Sequence, residues 1–118
     1  MNEIIISINN LSVLDELDMH DGKLGEIKCD YANHEVWIPI ELDSPKKRNI
    51  KAIMRFNYVK MFSMKILEPW GAGMYVNEVK YKRFKEVNSE ICFEVTIILN
   101  SGDVLKIASE QIEYNEVV

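Results

Sequence analysis

Histidine and cysteine are scarce in this chain, with two of each among 118 residues. That scarcity removes several kinds of chemistry at the outset. Cys29 and Cys92 are too few for a disulfide framework and too far apart for a CxxC redox motif. Cys92 sits mid-strand beside apolar residues and reads as a small buried hydrophobe. Together with His20 and His34 the cysteines supply zinc-ligand types, but only Cys29 and His34 are near each other, which is not a ligand spacing. Asp15, Asp18 and Asp21 lack the alternating ligand order of a calcium loop. No metal or cofactor is expected.

Positive charge is also in short supply. Lysine and arginine number 14 against 19 aspartates and glutamates, a net charge of −5. A nucleic-acid binder would carry a basic excess to neutralise phosphates, so nucleic acid is not an expected partner. No apolar run approaches the roughly 20 residues of a membrane span. The start MNEIIISINN lacks the basic residues and long apolar core of a signal peptide. The expectation is a cytoplasmic protein with no membrane association.

A recognisable catalytic set is missing as well. Ser7, Ser12, Ser44, Ser63, Ser89, Ser101 and Ser109 have no nucleophile motif such as GxSxG around them. Carboxylates are plentiful, but sequence cannot set two of them at a glycosidase separation. His20-Asp21 has the look of the signature pair of helical metal-dependent phosphohydrolases, yet His34 is the only other histidine and it lies in a β region. The simpler reading is a turn in which the Asp21 carboxylate accepts backbone N–H bonds before Gly22. An enzyme is not expected.

What the chain does have is period-2 apolar alternation. Ile91, Phe93, Val95, Ile97 and Leu99 point one way, while Cys92, Glu94, Thr96 and Ile98 point the other, the signature of a strand with one buried face. Val36, Ile38, Ile40 and Leu42 repeat it, as do Ile50, Ala52, Met54, Phe56 and Tyr58. The pattern predicts strands over 2–8, about 24–31, 35–42, 50–59, 74–84, 90–99 and 104–108, with a last short segment at 112–114. Residues 9–18 read as a short helix or turn, with Leu11, Leu14 and Leu17 at three-residue spacing. Gly25 falls where the alternation slips and suggests a bulge. Pro39 cannot donate to a ladder, so its strand should be an edge, or Pro39 should face outward at a bulge. Residues 60–68 fit either a continued strand or a helical turn with Met61, Met64 and Leu67 inward. Asn88-Ser89 and Asn100-Ser101-Gly102-Asp103 read as turns, the second with Gly102 free to take positive φ. At this length one domain is expected over residues 1–118. The fold class is mainly β: an antiparallel sandwich or partly open barrel of about seven strands, with one short N-terminal helix or turn.

Candidate binding residues stand out by type. Glu68-Pro69-Trp70-Gly71-Ala72-Gly73 is the most unusual string; Trp70 is either an exposed anchor of the kind that dominates interfaces or a plug for the end of the barrel. Trp37 faces opposite Val36 and Ile38, so it is either exposed or packed on a second layer. Asp15, Glu16, Asp18 and Asp21 form an acidic stretch suited to steering a basic partner, and Glu110, Glu113 and Glu116 form another. Lys46, Lys47, Arg48 and Lys51 make a basic loop, and Lys80, Lys82, Arg83 and Lys85 a basic strand edge of the kind that prevents edge-to-edge aggregation. Three functions fit. The first is a non-enzymatic protein-binding module with a basic partner, contacted through Asp15, Glu16, Asp18, Asp21, Trp37 and Trp70. The second is a small-ligand-binding barrel, with Met54, Met61, Met64 and Met74 lining an apolar pocket. The third is a subunit of a homo-oligomer, with Pro39's strand or the Trp70 loop at the interface.

His20-Asp21 before a first alternating strand, the hairpin through Val36 to Leu42 and the closing Asn100-Ser101-Gly102-Asp103 turn give a layout that resembles small bacterial β-rich immunity-type proteins of polymorphic toxin systems. The likeness runs from about residue 19 to 114 and transfers no binding residue. It implies a small, acidic, cytoplasmic, non-enzymatic protein that neutralises a toxin by occluding its active site.

Overall fold

A computed structural model describes residues 3–85 and 91–117, with side chains left undescribed at 84 and 85. The chain runs β1 (Glu3–Ile6), α1 (Val13–Glu16), β2 (Lys23–Leu24), β3 (Lys28–Asp30), β4 (Glu35–Leu42), β5 (Ile50–Asn57), β6 (Met61–Met64), β7 (Val76–Lys85), β8 (Ile91–Leu99), β9 (Val104–Ser109) and β10 (Gln111–Val117). The strands form two antiparallel sheets packed face to face, and neither closes into a barrel. Sheet A has the order β1-β10-β5-β4-β2, with β3 also on β4, and sheet B the order β6-β9-β8-β7. No helix among the described residues is long and apolar enough to cross a membrane.

Alternation sets the faces. In β4, Val36, Ile38, Ile40 and Leu42 are buried and the residues between them are not. In β5 the inward set is Ala52, Met54 and Phe56, and β10 adds Ile112 and Tyr114. Sheet B answers with Phe93, Val95, Ile97 and Leu99 from β8 and Leu105 and Ile107 from β9. These side chains make one continuous core between the sheets. Leu11, Leu14 and Leu17, together with Met19, are buried against it. The segment between β1 and β2 is thus a lid on the core, although only four of its residues are helical.

Several expectations are refined. Ten strands stand among the described residues rather than about seven, partly because 24–31 breaks into β2 and β3, with residues 25–27 in neither and no bulge at Gly25. Cys29 and Tyr31 are exposed, Tyr31 by 87%, because β3 is a three-residue edge piece. Strand β4 is not an edge, since β5 pairs on one side and β2 and β3 on the other. Pro39 is tolerated there because it falls in the gap between β2 and β3, where its carbonyl accepts from Gly25 N–H at 2.9 Å and no ladder donor is required of it. Residues 61–64 take the strand alternative, and Leu67 is 71% exposed instead of facing inward. The segment near 112–114 is a seven-residue strand lying between β1 and β5. The turn expected at Asn88-Ser89 lies outside the described residues.

The basic loop after β4 is not simply solvated. Lys47 Nζ reaches Glu116 at 2.7 Å, and Tyr114 Oη donates to the same carboxylate oxygen at 2.7 Å. Burial, then the hydrogen bond to Glu116, raises the Tyr114 pKa. Loop 43–49 is therefore clasped to β10.

Phe56 is fully buried at the middle of sheet A, opposite both Val36 and Ile112. Phe56→Ala should cost about 3–5 kcal/mol of stability, read as a lower urea midpoint with an unchanged slope.

Candidate functional site

Between β6 and β7 the chain runs Lys65-Ile66-Leu67-Glu68-Pro69-Trp70-Gly71-Ala72-Gly73-Met74-Tyr75 with no helix or strand, apart from an isolated antiparallel bridge of Tyr75 to Lys23. Pro69 cannot extend a ladder, and two residues take left-handed backbone, Glu68 at φ 48° and Gly71 at φ 102°. The loop leaves large apolar side chains in solvent: Ile66 is 77% exposed, Leu67 71%, Trp70 69%, Met74 47% and Tyr75 45%. This settles the alternatives for Trp70. It is exposed and does not plug the end of the sandwich.

Exposure here does not mean a loose loop. The β8–β9 turn, Asn100 to Asp103, holds it at several points. Asp103 is only 6% exposed. Its carboxylate accepts from Leu67 N–H at 2.9 Å, from Glu68 N–H at 3.1 Å and from Ser101 Oγ at 3.2 Å. Those donors, Leu67 first, hold the Asp103 pKa below the ordinary carboxylate value, against the opposing effect of burial. Trp70 N–H donates to Ser101 O at 2.9 Å, and Asn100 exchanges hydrogen bonds with Tyr75 through its main chain (2.8 Å) and its side chain (3.2 Å). Gly102 has φ 91°, and a Cβ there would come within 2.8 Å of Pro69 Cγ and Trp70 Cδ2. One face of the indole therefore rests on bare backbone, which only glycine provides.

The other candidate residues are elsewhere. Trp37 lies on the outer face of sheet A, half-buried, with no second layer of described residues over it. The Arg55 guanidinium sits 4.9 Å from its ring centroid, and Trp37 Nε1 donates to Glu35 at 3.2 Å. Arg55 also pairs with Glu35 at 2.7 Å and Glu113 at 3.3 Å, so this tryptophan belongs to a surface network of its own sheet. Asp15 and Glu16 are exposed on α1. Asp15 accepts from Tyr81 Oη at 2.5 Å, which ties α1 to β7 and raises the Tyr81 pKa. Asp18 is partly buried at φ 52°. Asp21 is exposed, with its carboxylate 3.2 Å from His20 Nδ1, and its main chain donates to Val76 O at 2.8 Å. Asp21 shares with Tyr75 a surface cleft that also holds Lys23, Glu41, Asp43 and Lys51.

The structure does not gather the four methionines in one pocket. Met54 is buried in sheet A, Met61 is partly covered on β6, and Met64 and Met74 are exposed. Cys29 and Cys92 belong to different sheets and form no disulfide. Among the described residues no three of His, Cys, Asp and Glu are grouped to hold a metal ion.

Asp103 is the residue that sequence reasoning missed. It reads locally as a turn former, and nothing in the string NSGD points to donors 35 and 36 residues away. Asp103→Ala should speed hydrogen exchange at the Leu67 and Glu68 amides while leaving the amides of β4 and β5 protected. The pH dependence has a fixed sign. Because the folded pKa is depressed, the carboxylate stabilises the loop above its unfolded value of 3.8 and that contribution is lost as pH falls through the folded value. Exchange at these two amides, corrected for the intrinsic rate, should therefore rise selectively in that acid range. Compared with known proteins, the chain matches no family model and no curated protein.

Proposed function

We propose that this protein is a non-enzymatic protein-binding module, of the immunity type that neutralises a toxin by covering its active site, working in the cytoplasm. The observation that carries the reading is Trp70: a tryptophan in solvent on a loop whose backbone is already fixed by Asp103, Ser101 and Asn100. Leaving a large apolar side chain in water gains nothing for the isolated fold, and tryptophan is the residue most enriched at binding hot spots. Fixing the loop beforehand removes much of the ordering cost of association. Ile66 and Leu67 extend the apolar surface. Asp15, Glu16, Asp18 and Asp21 supply a negative field that speeds encounter with a basic protein, while Trp70 sets the lifetime of the complex.

Trp70→Ala provides the test. The substitution should change unfolding free energy by less than about 1 kcal/mol, because the side chain is mostly in solvent. It should weaken capture of a stoichiometric basic partner by about 2 kcal/mol or more, as hot-spot truncations do. Paired denaturation and low-salt pull-down measurements check both. A large loss of stability with binding unaffected would return Trp70 to a structural role.

A further inference from the structure

The edges of the two sheets are not alike. Strand β1 carries Glu3, β2 carries Lys23, β3 carries Lys28 and Asp30, and β7 carries Glu78, Lys80, Lys82 and Arg83. Charged residues on an edge strand oppose pairing with another chain. Strand β6, the edge of sheet B beyond β9, reads Met61-Phe62-Ser63-Met64 and has no charge at all. Phe62 and Met64 stand opposite Ile107 and Leu105 and so face the core side, while Met61 and Ser63 stand opposite Ala108 and Lys106 on the outer side. Met64 is nevertheless 37% exposed, because no strand covers it on the open side.

We propose that β6 pairs with β6 of a second copy of this chain, antiparallel across a two-fold axis at Ser63, joining the two B sheets into one of eight strands. The argument is self-complementarity. A two-fold axis perpendicular to the sheet keeps core-side residues opposite core-side residues, so the register must centre on a residue and not between two. Centred on Ser63, it sets Phe62 opposite Met64 of the second copy on the core side, a sulfur–aromatic pair, and repeats that pair across the axis. The two serines meet on the outer side. Met61 lies opposite Lys65 and Lys60 opposite Ile66, so no like charges face each other. A closed two-fold pair is also the commonest form of homo-oligomer. The inference does not rest on the role given to Trp70.

Sedimentation velocity over a concentration series gives the first readout. The wild type should approach twice the 13.7 kDa chain mass. Ser63→Lys places two ammonium groups together on the axis and should raise the dimer dissociation constant by about tenfold or more, with unchanged circular dichroism. The second readout is positional. Directly opposed residues have Cβ atoms about 4.5–5.5 Å apart, the near end of which reaches disulfide range. In a Cys29→Ser background, Ser63→Cys should cross-link under mild oxidation and Thr96→Cys, on the outer face of the central strand β8, should not. A wild-type mass of one chain throughout the series, or cross-linking no greater at Ser63 than at Thr96, overturns the proposal.

Discussion

Sheet A depends on β10 reaching its place between β1 and β5. Ile112 and Tyr114 on that strand are fully buried, and their backbone supplies the ladders on both sides. Without β10 the first strand would have no partner, and Phe56 and Met54 would lose the side chains beside them. The Glu116 carboxylate then secures the end of β10 to loop 43–49 through Lys47. A pairing between residues so far apart in sequence carries a loop-closure cost that must be met before its contacts return anything. It also marks this fold as one dominated by non-local contacts, the class that folds slowly.

Much of the architecture was legible because β4, β5 and β8 each bury one face against the opposite sheet. Burial on one face only is what writes period-2 alternation into a sequence. The strands at 35–42 and 50–59 and the turn at Gly102 followed from that pattern and from turn chemistry. The places that were harder to read have physical causes. Strand β10 carries Glu113, Asn115 and Glu116 on a seven-residue strand, so its apolar signal reduced to Ile112 and Tyr114. The status of Pro39 hinged on a gap between two neighbouring strand fragments, which no local rule describes. For β6, a four-residue strand is too short for periodicity to separate it from a helical turn.

The candidate site divides in the same way. That 68–73 is a loop was evident from proline and glycine. That Trp70 stands in solvent was not, since an indole beside glycines fits an end plug equally well. Trp37 shows the converse. Its outward direction could be read from the alternation, but the Arg55 that covers it comes from β5, and only the register pairing Trp37 with Arg55 brings them together.

The hydrogen bonds between loop 65–75 and turn 100–103 tie two stretches of sequence that are separated by the whole β7–β8 hairpin. This exposed apolar surface is therefore encoded in two pieces. Ile66, Leu67 and Trp70 supply its exposed side chains. Asp103, Ser101 and Gly102 supply the bonds and the bare backbone that hold it in place. Transplanting the surface to another sandwich would require moving both pieces together.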